Sequence, residues 1–165
     1  MNKDLPIFIK ITRKISDKIK HLSLFLAGMF LLINIIDIIF SVISRYFFNS
    51  SLVWTEELAR FTLIWAVMFG GVAAMSYGEH VSITIVVEKL PNYLSKIVNF
   101  VRHIIIIAVL IFMTYMGFEY TSNAWRFTTL AMGIPKAIPL MAIPIGMGLM
   151  LIQYILILIS SIGQK

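Results

Sequence analysis

The chain has 165 residues, of which 59% are hydrophobic and 13% charged, with a mean hydropathy of +0.92 and a formal net charge of +6. These values exclude an ordinary soluble domain and describe a polytopic membrane protein. No cysteine is present, so cysteine usage says nothing about redox compartment.

Residues 1–20 read as a basic cytoplasmic arm. Phe8, Ile11, Ile15, Ile19 and Leu22 recur at steps of three and four, with Lys10, Arg13, Lys14, Asp17 and Lys18 between them. That pattern predicts an amphipathic helix lying on an anionic leaflet, with phospholipids rather than nucleic acid as its partners. The apolar run that follows is too long for the core of a cleavable signal, and no small-x-small site ends it. It reads as a retained first span.

Residues 21–163 read as an all-α membrane domain of four transmembrane helices, at about 22–46, 55–77, 97–120 and 136–162. The alternation that a membrane barrel needs is absent. Ten Lys and Arg residues fall on the side of the termini, and Arg45, Arg60, Arg126 and Lys136 on the other. The positive-inside rule therefore places both termini in the cytoplasm.

The first span carries a polar line, Asn34, Asp37, Ser41 and Ser44 or Arg45, whose spacing puts it on one helical face that must point into protein. Asp37 is either a proton or cation carrier or a structural acid, and depth alone makes Arg60 a reasonable partner for it. The second span opens on Trp54-Thr55-Glu56-Glu57-Leu58-Ala59-Arg60 and then runs from Phe61 to Tyr77 without a charge. Acids in a first turn suit the helix dipole, and Glu56 with Arg60 is an i,i+4 pair. Alternatively, this cluster binds a partner, since charge at the mouth of a membrane helix is costly and usually functional. Further along, Ala66, Gly70, Ala74 and Gly78 fall every fourth residue, the spacing of a close-packed seam in lipid.

Ile83, Val86, Val87, Leu90, Leu94 and Ile97 form a second amphipathic pattern, interrupted by Pro91. In the fourth span Pro135, Pro139 and Pro144 predict a bend near its start. His21, His80 and His103 all lie toward the cytoplasmic edge, which disfavours a bis-histidine haem. No metal-ligand spacing, nucleophile–base pair or phosphate loop occurs, so neither cofactor nor enzymatic activity is expected.

Arg45-Tyr46-Phe47-Phe48-Asn49, the Trp54–Arg60 run, Gly70-Gly71, Glu79-His80-Val81, Ala131-Met132-Gly133-Ile134-Pro135 and Ile143-Pro144-Ile145-Gly146 together resemble the small membrane subunit, the DctQ type, of tripartite ATP-independent periplasmic (TRAP) transporters. The resemblance covers about residues 40–150. It implies a small, non-translocating inner-membrane subunit of a sodium-driven importer of organic acids, either sialic acid or C4-dicarboxylates. It further implies that this subunit scaffolds a large elevator-type membrane subunit, with docking of a periplasmic binding protein as a second role. Two other classes remain open: a self-contained four-helix proton-coupled exporter using Asp37, and a membrane anchor of a redox complex.

Overall fold

The computed structural model describes residues 7–49, 52–77 and 92–162. Among these residues five helices follow in chain order: α1 (Ile7–Phe47), α2 (Val53–Tyr77), α3 (Asn92–Ala124), the single turn α4 (Ala137–Leu140) and α5 (Ala142–Ile162). Four helical stretches are long and apolar enough to cross a bilayer, with α4 and α5 together supplying the fourth. Gly78 and most of the second amphipathic pattern, Ile83 to Leu90, lie outside the described residues.

The N-terminal arm is not a separate helix. α1 runs unbroken for 41 residues, ~60 Å and about twice the hydrocarbon thickness. No proline or glycine interrupts the chain between Ile7 and Ala27, so the backbone has no reason to stop where the hydropathy changes. The face that packs is Ile9, Thr12, Ser23 and Ala27, whereas Phe8, Ile11, Ile15 and Leu22 of the expected apolar stripe are exposed. α1 ends where Asn49 turns left-handed (φ 48°), a conformation that asparagine tolerates better than most residues.

α1 and α2 form an antiparallel hairpin. Its seam is polar at the hairpin end and aromatic further down. Asn34 Nδ2 donates to the Ala59 carbonyl at 2.6 Å and to Thr62 Oγ1 at 2.9 Å, and Thr55 Oγ1 donates to Ser41 Oγ at 3.0 Å. Phe30 stacks against Trp65 and Phe69, and Lys20 sits 3.9 Å above the Tyr77 ring. The buried polar line of α1 is therefore the face turned to α2, where Asn34 and Ser41 find partners that lipid cannot supply.

α5 fills the space beside the hairpin and carries α3 on its other flank. At its centre Gln153 is fully buried. Its amide donates to Ser16 Oγ (2.8 Å), the Ser16 carbonyl (3.2 Å) and Ser76 Oγ (2.6 Å), tying α1, α2 and α5 at one point. The expected proline bend is a break at Met141 between α4 and α5. Pro144 has no N–H to offer the Leu140 carbonyl, and Thr121 of α3 donates to it instead at 3.3 Å. Gly117 lets α3 come this close, because a side chain there would meet Ile143 and the Pro144 backbone.

Candidate functional site

The charged start of α2 faces two ways. Glu57 is turned inward and is 8% exposed. Its Oε1 accepts the backbone N–H groups of Leu130 (3.0 Å) and Ala131 (3.1 Å), and its Oε2 accepts that of Met132 (3.0 Å). Three successive amides wrapped on one carboxylate form an anion nest. The loop that supplies them is held in shape by its own bonds. Thr129 N donates to the Ile134 carbonyl, Lys136 N donates to the Phe127 carbonyl, and Gly133 takes the positive φ (66°) that the turn requires. The Glu-Glu run of α2 and the Ala131–Pro135 segment, two separate features of the sequence, thus form one structure.

Glu56 and Arg60 point away from the core, and both are exposed. Glu56 Oε1 lies 3.5 Å from Arg45 Nη2, an exposed ion pair. The expected Glu56–Arg60 carboxylate pair is not formed, because Arg60 Nε donates instead to the Glu56 main-chain carbonyl at 3.2 Å. Nor does Arg60 meet Asp37. The two are at similar depth, but Asn34 of α1 faces Ala59 and Thr62, which leaves Arg60 on the far side of α2. Trp54 is 39% exposed and tilts against Phe40 at 6.3 Å.

The small-residue line crosses from inside to outside. Four residues exceed one helical turn, so each step drifts by about 40° around α2. Ala66 is buried at 4%, Gly70 is intermediate and Ala74 is exposed. A methyl group added at Gly70 would meet no atom within 4 Å. The seam that packs within the chain lies on the neighbouring face. There Gly71 receives the Met150 methyl group, and Gly146 of α5 is pressed on Met68, whose Cβ would stand 2.6 Å from an added methyl.

The outcome is an unpartnered stripe on α2, made by Arg60, Leu63, Val67, Gly70 and Ala74 at steps of three and four. The opposite face, with Thr62, Ala66, Phe69, Val72 and Ala73, is buried against the chain's own helices. Among the described residues no group of histidines and carboxylates stands close enough to hold a metal. His103, outside any such group, bonds Tyr154 Oη through Nδ1 at 2.7 Å. The Glu57 nest and the Gln153 hub had no counterpart in the sequence reading. The lone amide within the apolar α5 run was the available signal for the second.

Residues 34–163 match the family model for the DctQ component of tripartite ATP-independent periplasmic transporters. A Haemophilus influenzae protein described as a TRAP transporter small permease is 26% identical over 136 residues, covering 82% of this chain and 80% of the relative. The sialic acid TRAP transporter small permease SiaQ of Vibrio cholerae is 23% identical, over 62% of this chain and 60% of its own. The sialic acid TRAP transporter permease SiaT of H. influenzae is 27% identical, and the match takes in 72% of this chain but 19% of that much longer protein.

Proposed function

The chain belongs to the DctQ family, the small permease component of TRAP transporters, and on that premise we propose that it scaffolds a large permease through the exposed stripe of α2. It is a multi-pass transporter subunit and not an enzyme. The family implies a large permease and a periplasmic binding protein as partners.

The observation that carries the proposal is the two-sidedness of α2. One face is consumed inside the chain. The other presents an arginine about two turns below the helix mouth, then a glycine with open space above it and an exposed alanine. An arginine facing lipid is costly, and small residues facing lipid gain nothing, whereas a packed helix would use both. Asp37 sits on the internal seam with α2 and not on this stripe, which fits a subunit that does not itself carry the cargo. In our reading both termini are cytoplasmic, and the α1–α2 hairpin end faces the periplasm beside the docking binding protein. The cargo is an organic acid of the sialic acid or C4-dicarboxylate type, and two relatives named for sialic acid favour the first.

The test compares two glycines. Gly70→Leu should leave the melting temperature of the isolated chain nearly unchanged, since a carbon added there meets no atom within 4 Å, yet co-purification with the large permease should be lost. Gly146→Leu should do the reverse and lower the chain's own stability, because Met68 Cβ is fixed in its path. Undiminished co-purification of Gly70→Leu would remove the α2 stripe as the contact.

A further inference from the structure

A cleft of about 310 Å³ opens between α1 and α2 at the hairpin end. Asp37 and Ser41 of α1, one turn apart, line it together with Thr55 of α2, and Arg45, Tyr46 and Glu56 stand at its mouth. Asp37 is 6% exposed, and its Oδ2 has no hydrogen-bond partner among the described residues. The Asn34 amide, one turn below, is committed to Ala59 and Thr62, and the Thr55 hydroxyl to Ser41 and the Leu52 carbonyl. The Asn34 and Thr55 donors are therefore engaged elsewhere. A buried carboxylate oxygen without a donor is unstable in a low-dielectric setting, and an arriving cation would correct that.

The shape and charge select the kind of cation. Asp37 and Glu56 against Arg45 leave the cleft one negative charge in excess. The acceptors, a carboxylate at the base and hydroxyl and carboxylate oxygens above it, suit a group with three N–H donors. Arg45 is more than half exposed and touches Glu56 only at 3.5 Å, so its remaining donors are free to take an anion at the mouth. Tyr46 and the exposed Arg45–Glu56 pair place that mouth among lipid headgroups.

We propose that this cleft binds a phosphorylated primary amine, the phosphoethanolamine headgroup of a membrane lipid. The ammonium is seated on Asp37 and Ser41, and the phosphate lies on Arg45. The site is separate from the α2 stripe and does not depend on the scaffold reading.

The experiment places the full chain in nanodiscs containing equal mole fractions of phosphatidylethanolamine and phosphatidylcholine, and counts the lipid retained after extraction by native mass spectrometry. Phosphatidylcholine has the same charges but no N–H donor, so the wild-type chain should retain the ethanolamine lipid on the order of tenfold more, about one good charge-assisted bond's worth. Asp37→Asn, which keeps the side-chain volume, and Ser41→Ala should lose that preference. Glu119→Gln, a charge change on exposed α3, should keep it. A second arm adds soluble O-phosphoethanolamine to phosphatidylcholine discs. An Asp37-dependent rise in melting temperature there, without lipid preference, would support the amine site and assign it to a soluble amine. Equal retention of both lipids with no Asp37-dependent response to the soluble amine would overturn the proposal and leave Asp37 as a buried structural acid. The wild-type comparison needs no variant, so misfolding of a mutant cannot rescue or sink it.

Discussion

Arg60→Glu is expected to abolish substrate uptake while the subunit still reaches the membrane and folds. The reversal places a carboxylate on a face that nothing in the chain covers, so the interior of the hairpin is undisturbed. Arg60 Nε gives up a bond to the Glu56 carbonyl, and the seam of Asn34, Thr62, Phe69 and Val72 keeps every contact it had. The new charge stands one turn from Glu56, so the helix face becomes acidic where the partner expects a cation. Losing one partner of a desolvated charge pair costs about 2 kcal/mol or more, roughly a thirtyfold weakening, and reversal adds repulsion to that. Arg60→Lys should fall between the two, since it keeps the charge but not the guanidinium fork. Uptake in reconstituted vesicles, alongside the amount of large permease that co-purifies, is the measurement. Normal uptake by Arg60→Glu would mean that the residue only starts a helix.

Replacing Glu57 should release the loop between α3 and α4. Its carboxylate accepts three main-chain N–H groups from Leu130, Ala131 and Met132, and among the described residues no other carboxylate bonds to them. Glu57→Gln keeps one acceptor oxygen, but its amide nitrogen would oppose a backbone N–H that now meets another donor. Glu57→Ala removes both acceptors. The loop's internal bonds from Thr129 to Ile134 and from Phe127 to Lys136 remain, so a loosened and not wholly unfolded segment is expected. The readouts are a melting temperature lower by on the order of 5 °C and faster protease cleavage between residues 128 and 135. Glu57→Ala should exceed Glu57→Gln in both. A loop as protected as wild type in Glu57→Ala would show that the nest is incidental.

The difference between Glu56 and Glu57 shows where sequence reasoning stops. The Trp54–Arg60 run was legible as the charged start of a span, because charged residues beside an uncharged stretch are conspicuous. Which acid faces inward was not, since the partners of Glu57 are backbone amides 73 to 75 residues away and backbone amides have no residue signature. Depth along a helix can be counted from the sequence, which made Arg60 a reasonable partner for Asp37. Azimuth depends on how two helices dock, and docking put Arg60 outside. The four apolar spans followed from composition. The continuity of α1 did not, because hydropathy rises at Leu22 while the backbone has nothing to break it. Gln153 was missed for a related reason: a single amide in an apolar run signals burial, but only packing names Ser16 and Ser76 as its acceptors.

The rival to the α2 stripe is α3, which packs chiefly on α5 and exposes Ile104, Ile111, Phe112 and Phe118 along its length. A photo-crosslinking residue separates them most directly, placed in turn at Ala74 of α2 and at Phe112 of α3 in cells that also carry the large permease. The scaffold account predicts a covalent adduct of subunit and large permease from Ala74 and none from Phe112. An adduct from Phe112 with none from Ala74 would contradict it.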